Sequence, residues 1–305
     1  MRLLLLLVLS IGACRAGEAP APADAQRAEA LYNQALGMPT APRVAALVEA
    51  ARLCPNEARY WVALGDAYGT PSISRVPDPG KEPEAGKPLG AESARQIYLR
   101  AAALAPRSPL PHLRLADMLW QSDPGLAAEH LDRAIPLDAG NALSLYERAL
   151  LHFLAGEEDL ARRTLADADA CREMRYPILC PSIPYDAAQA SVWFSQAQLP
   201  CVARLRELAR QIVRVADTLK EREPAEARLL LLQGQRLAYR TMAGEPALLI
   251  TLLVGAAIHG LVAKPLDALL EAQGDAEGRA ALAARVKALD ALRAGVRASV
   301  SDVQT

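Results

Sequence analysis

Between Ala58 and Tyr68 the chain reads ARYWVALGDAY, which sets Trp61, Leu64, Gly65 and Tyr68 at spacings of 0, 3, 4 and 7, one face of a helix. Further on, Ala94, Tyr98, Ala101 and Pro106 mark a second helix with a stop. Gly65 and Ala101 are small enough to let two helices approach closely, while Trp61 and Tyr68 fill the space between them. The pattern recurs downstream. From Pro109, Leu115, Ala116 and Leu119 precede Ala127, Leu131 and Ala134; from Ala142, Ala149 precedes a turn at Gly156 and then Ala161, Leu165 and Ala168. Upstream, Leu47, Ala50 and Pro55 match the second helix of such a pair, with the first predicted from Asp24 to Leu36. A repeated helical pair buries its apolar face only by stacking on its neighbours, so this recurrence decides the fold.

These residues resemble the tetratricopeptide repeat (TPR), a pair of antiparallel helices recurring about every 34 residues. The match is full at Trp61 to Pro106. It is degenerate in the fourth pair, where Arg148 stands at a position usually held by Leu. The resemblance covers 25–175 and implies an all-α, TPR-like helix-turn-helix superhelix. It also implies a protein-binding, non-catalytic role, because members of the family serve as scaffolds for many unrelated partners.

One pair is interrupted by GTPSISRVPDPGKEPEAGKPLG at 69–90, whose five prolines and four glycines exclude a helix. A tolerated surface insertion and a docking flap are both open readings. Beyond the repeats, 184–297 is expected to form a C-terminal α-helical domain, followed by a short tail at 298–305. Its helices are expected over Asp186–Gln198, Cys201–Arg222, Ala225–Met242, Ala247–Ala263 and Ala276–Arg297, with breaks at Pro200, Pro224, Pro246, Pro265 and Gly274. Ala247–Ala263 has 17 residues without a formal charge, the lower limit for a membrane span. Along it, Ala247, Thr251, Gly255, His259 and Ala263 form a seam of small or polar side chains every four residues. It reads as the buried central helix of that domain.

The N-terminus carries an export pattern. Met1-Arg2 is followed by the apolar run Leu3–Leu9, then Gly12, Ala13 and Cys14. The run is too short to span a bilayer, which takes about 20 apolar residues. Ile11-Gly12-Ala13-Cys14 resembles the lipobox of bacterial lipoproteins, which implies a signal peptide at 1–13, a lipid on Cys14 and a flexible tether over 14–24. With Arg15 after the Cys, the resemblance implies sorting to the outer membrane, facing the periplasm. The alternative is a secreted or soluble periplasmic protein cleaved after Ala16.

Composition narrows the rest. The formal net charge is −1, which leaves no basic surplus for a nucleic-acid face. Hydrophobic residues make up 52% and aromatics 4%, ample for a core yet poor in strand-forming runs, so disorder and a β-sandwich are excluded. Of five cysteines, Cys14 belongs to the lipobox; Cys171 and Cys180 flank one turn and can close a disulfide, while Cys54 and Cys201 are expected as buried thiols. A helix over Asp186–Gln198 would hold Cys180 and Cys201 roughly 20 Å apart, which bars that pair. The four histidines, His112, His130, His152 and His259, show no zinc spacing, and no GxSxG, P-loop or GxGxxG occurs. The expectation is no cofactor, no metal and no enzyme.

In the resembled family, the first helix of each pair lines the concave face. Carried over, the candidate partner-binding residues are Arg59, Val62 and Asp66, then Leu113, Asp117 and Trp120, then Tyr146, Leu150 and Phe153. Asp66 and Asp117 stand where chaperone-binding members carry Asn, which disfavours a carboxylate clamp. The face grows more apolar toward the C-terminus. It is either covered by Trp193 and Phe194 or open to an apolar segment of a partner. The leading expectation is a lipid-anchored scaffold for a protein partner in the bacterial envelope. A carrier of an apolar ligand in the C-terminal domain is the alternative, and an unrecognised enzyme a more distant one.

Overall fold

The computed structural model describes residues 20–38, 40–69, 91–177, 200–245 and 249–303. Cys14, the insertion beyond residue 69, Cys180 and the helix expected at Asp186–Gln198 lie outside the described residues. Among those described, the protein is all-α: twelve helices and no β-strand. The described residues divide into two compact units, one running to Leu137 and the other made of Asp138–Tyr176 with the helices from Pro200 onward.

The first unit consists of three hairpins: α1 (Pro22–Leu36) with α2 (Thr40–Leu53), α3 (Ala58–Gly69) with α4 (Ala91–Leu104), and α5 (Leu110–Leu119) with α6 (Pro124–Ala134). Consecutive hairpins pack α2 on α3 and α4 on α5, so each second helix meets the next first helix. The repeat-defining residues on the helix faces are buried where the spacing places them, while the stop at Pro106 is exposed. Trp61, Leu115, Ala127, Leu131 and Ala134 retain at most a trace of exposure, and Tyr68 and Tyr98 are buried beside them. Trp61 Nε1 donates to the Pro55 carbonyl at 2.9 Å, and the Arg100 guanidinium lies 4.3 Å above its ring. Pro124 opens α6, with Asp123 accepting from the Leu126 N–H at 3.0 Å as its N-cap.

The second unit holds the fourth hairpin, α7 (Ala142–Leu154) with α8 (Glu158–Ala170), together with α9 (Pro200–Leu219), α10 (Pro224–Ala243), α11 (Leu249–Ala272) and α12 (Ala276–Val303). The turn between α7 and α8 is made by Gly156 at φ 77°, a left-handed position suited to glycine. Although its residues follow the repeat pattern, this hairpin packs with the C-terminal helices: α9 lies on α7 and α10 on α8. A buried ion pair ties the joint, with Arg204 Nε donating to Glu147 Oε1 at 2.7 Å.

A short extended strap, 172–176, is pinned across this unit. Asn141 caps α7 through Leu143 N–H and also holds both the N–H and the carbonyl of Arg175, while Tyr176 and Met174 exchange backbone bonds with Glu245. Arg240 of α10 donates to the carbonyls of Ala168, Asp169 and Cys171, satisfying acceptors at the C-terminal end of α8.

Helix α11 packs on α9, α10 and α12. Of the expected seam, Thr251, Gly255, His259 and Ala263 are buried, and Ala247 lies outside the described residues. A Cβ on Gly255 would fall 2.7 Å from the Ala238 carbonyl and 2.4 Å from Met242 Cγ, so only glycine admits this approach of α10. The predicted break at Pro265 does not occur; α11 continues through it to Ala272. Proline removes one helical hydrogen bond, and Leu266, Leu269 and Leu270, buried in the next turns, anchor the continuation. Helix α11 is long and apolar enough to cross a membrane by length and composition, with a mean hydropathy of 1.8 in its most apolar stretch. Less than half of that stretch is buried, and Leu249, Ile250, Leu253 and Leu261 remain exposed.

The helices of the second hairpin approach closely at Gly65, where a Cβ would lie 2.4 Å from the Tyr98 ring. Gly65→Ala is expected to cost about 1–3 kcal/mol despite alanine's better helix propensity, because the ring cannot retreat without disturbing α3 and α4. Chemical denaturation of the two proteins checks this.

Candidate binding surfaces

The three first helices that carry the expected partner-binding residues are α3, α5 and α7. Val62 and Leu113 are buried at 2% and 5% exposure, and Tyr146, Leu150 and Phe153 at 0%, 1% and 3%. Residues with so little surface are packing residues in this conformation. Trp120, at the C-cap of α5, is half-buried.

Asp66 and Asp117 are held internally. Arg114 meets Asp66 in a two-pronged pair at 2.8 and 3.0 Å, reaches toward Asp117 at 3.9 Å, and Tyr98 Oη donates to Asp66 at 2.7 Å. Burial and the Asp66 charge push the Tyr98 phenol well above its ordinary range, so it stays a donor at any working pH. These carboxylates join α3, α4 and α5. Two carboxylates thus share one guanidinium, and both are engaged in holding the helices together.

Arg59 is different. It lines an open cleft of 960 Å³ between α1, the α2–α3 turn and α3, with Gln26, Glu29, Asn33, Cys54 and Tyr60 among the walls. Tyr60 Oη donates to Glu29 at 2.7 Å, while Arg59 donates to Glu29 at 3.2 Å and to Glu57 at 3.1 Å. Its guanidinium lies 5.5 and 5.7 Å from the Tyr32 and Tyr60 ring centres, which are themselves 5.3 Å apart. Burial and the Glu29 hydrogen bond raise the Tyr60 phenol far above its usual value. The cleft thus has apolar walls with a fixed array of charge and ring faces. Sequence reasoning reached Arg59 and missed Glu29, Asn33 and Tyr60. The first helix of the first pair carries none of the Trp, Gly and Tyr markers that would have set its register.

Two further groups stand apart. His112 and His130, on α5 and α6, face each other with Nδ1 atoms 3.2 Å apart and rings stacked at 5.5 Å. Cys54 and Cys201 are buried and form no disulfide among the described residues, whereas the expected Cys171–Cys180 disulfide involves a residue outside the described ones. Among the described residues, no three His, Cys, Asp or Glu side chains converge as a metal site.

Architecture and surfaces together define an all-α protein built from TPR-like helical hairpins, with clefts suited to binding. No protein-family model matches the chain, and no curated protein matches it. Among solved structures it is similar to the MamA protein, at 15% identity over 73% of this chain and 99% of that one, with a TM-score of 0.41. It is also similar to yeast Tom70, at 14% identity over 95% of this chain and 66% of that one, with a TM-score of 0.31. The assignment of the fold rests on the hairpin packing described above.

Burial, the neighbouring His112 and the charges of Arg133 and Arg95 push the His130 imidazole down to about 4 from an ordinary 6.5. The unfolded chain therefore takes up a proton near pH 6.5 that the native chain refuses until about pH 4. Stability is full above the upper value and falls as pH drops through this window, by on the order of 1–3 kcal/mol. In His130→Gln, urea midpoints compared at about pH 7.5 and about pH 4.5 should show a smaller acid loss.

Proposed function

We propose that the chain is a non-catalytic scaffold of the bacterial cell envelope, held to the outer membrane by a lipid on Cys14 and facing the periplasm. Its TPR-like hairpins bind a protein partner. The observation that carries the reading is the cleft at Arg59: an open space of 960 Å³ with apolar walls and charged, aromatic side chains already fixed in place. Its size lies at the upper end of the range typical of ligand pockets, roughly 300–1,000 Å³. Side chains held before binding lose little further freedom when a partner arrives. An extended segment fits this chemistry, its carboxylate or carbonyls meeting Arg59 and its apolar groups lying against Ala25, Ala30 and Leu53 on the walls.

The buried face of α3, α5 and α7 supports the hairpins instead of receiving the partner. The envelope address rests on the run Leu3–Leu9 and Cys14, and it fits a chain whose net charge of −1 suits neither nucleic acid nor strong electrostatic attachment to lipid. A single protein-borne chain gives only marginal attachment, whereas a diacylated cysteine supplies stable anchoring.

Two measurements test the reading. Labelled palmitate should enter the wild-type protein and not Cys14→Ala; incorporation in the variant would sink the anchor. A photo-crosslinking residue at the exposed cleft position Gln26 should trap one discrete protein in intact cells. That product should disappear in Arg59→Ala, with the thermal midpoint of the purified variant unchanged within a few degrees. A product that persists in Arg59→Ala, or none at all, overturns the cleft as the binding site.

A further inference from the structure

The helical part of the chain begins at the cleft that Arg59 lines. Pro20 lines the same space, and α1 starts two residues later at Pro22, its first turn closed by the Ala25 N–H on the Ala21 carbonyl at 3.0 Å. The tether expected over 14–24 is thereby shortened, because helix already takes up 22–24. Pro20 follows Cys14 by six residues. At about 3.3–3.6 Å per residue, six residues reach about 20 Å at full extension.

Along α1 the lining runs from Ala25 to Asn33, and Asn33 lies roughly 16 Å beyond Pro22 on the helix axis. A lipid on Cys14 therefore holds the mouth of the cleft within about 40 Å of the membrane surface, whatever path the intervening residues take. The contacts on offer there are modest. Arg59 is already shared between Glu29 and Glu57, so an incoming carboxylate meets an engaged guanidinium. The apolar side chains with surface in the cleft are Pro20, Ala25, Ala30, Leu53 and Pro55, which are small and give little area to bury. Such a site binds weakly by itself and depends on a high local concentration of its partner.

We propose that the occupant of the cleft is an extended periplasmic segment of a protein held in the same membrane, presented within about 40 Å of the membrane surface. This partner class rests on the Arg59 cleft and the Cys14 lipid both being as proposed, and it adds where the partner resides. Two proteins confined to one thin layer meet as linked modules do, gaining roughly 10²–10⁴-fold in apparent affinity without a new contact. A protein dissolved in the periplasm has no such gain. The bilayer itself is a poor occupant, because an anionic headgroup would meet Glu29 and Glu57 together with the single Arg59 guanidinium, whereas peptide carbonyls and amides carry no charge.

The test puts the photo-crosslinking residue at Gln26 in two forms of the full chain in intact cells. One is lipidated; the other carries Cys14→Ser behind a cleavable secretory signal and reaches the periplasm without a lipid. At equal protein levels, the adduct should fall at least about tenfold in the unlipidated form. What remains of it should sediment with the membranes and leave them only in detergent. Equal yield in the two forms, or an unlipidated adduct in the soluble fraction, overturns the membrane-held partner. An adduct with the mass of a phospholipid overturns it in favour of the bilayer. Absence of any adduct from the lipidated form overturns the cleft reading itself, and an adduct from a chain that takes up no labelled palmitate overturns the anchor; this partner class falls with either.

Discussion

The structure depends on how closely its helices approach one another, and that distance is set by the residues that have no side chain to interpose. Gly65 lets the Tyr98 ring lie directly on α3, and Gly255 lets α11 settle onto the backbone of α10. Gly234 does the same for Val262 and Ile212, whose methyl carbons would lie 2.9 and 3.3 Å from a Cβ there. Around each contact, rows of alanine on both partners keep the helix axes near enough for leucine and aromatic side chains to interdigitate. A chain this rich in alanine and leucine has few large side chains to build a core with, and it compensates by close approach.

Close packing also settles the use of charge. Arg114 sits among α3, α4 and α5 with Asp66, Asp117 and Tyr98 arranged about it, and Arg204 with Glu147 ties α7 to α9. Removing either partner would leave an uncompensated charge at a joint between helices, so these groups are committed to assembly. The charged groups that line open space stand where packing ends: Arg59, paired with Glu29 and Glu57, beside an open turn, and Lys264 and Lys287 at a groove between α11 and α12. That division explains why the residues carried over from the concave face are poor candidates for contact: most are already in contact with the protein itself.

The fourth hairpin shows that local pattern and tertiary placement are separate questions. Its Ala149, Ala161, Leu165 and Ala168 obey the repeat spacing and are fully buried, as in the hairpins before it. Its neighbour in the compact unit is nevertheless α9, joined to it by Arg204 and Glu147, while a strap held by Asn141 and Arg240 ties the hairpin to α10. Degeneracy at Arg148 was the only trace of this in the sequence.

The sequence by itself determined the elements and most of the core. Periodic spacing marked which face of each helix turns inward, prolines and glycines marked most ends, and the small-residue seam of α11 proved to be its buried side. These properties are local, because they depend on residues three or four positions apart. Only the tertiary structure decided what was done with the faces. It carried α11 through Pro265, buried Val62, Leu113, Tyr146, Leu150 and Phe153, left Arg59 at an open cleft and brought Lys264 and Lys287 to one groove. Those outcomes depend on which helices meet across long separations in sequence, and contact between distant helices is a matter of shape and charge that no single helix encodes.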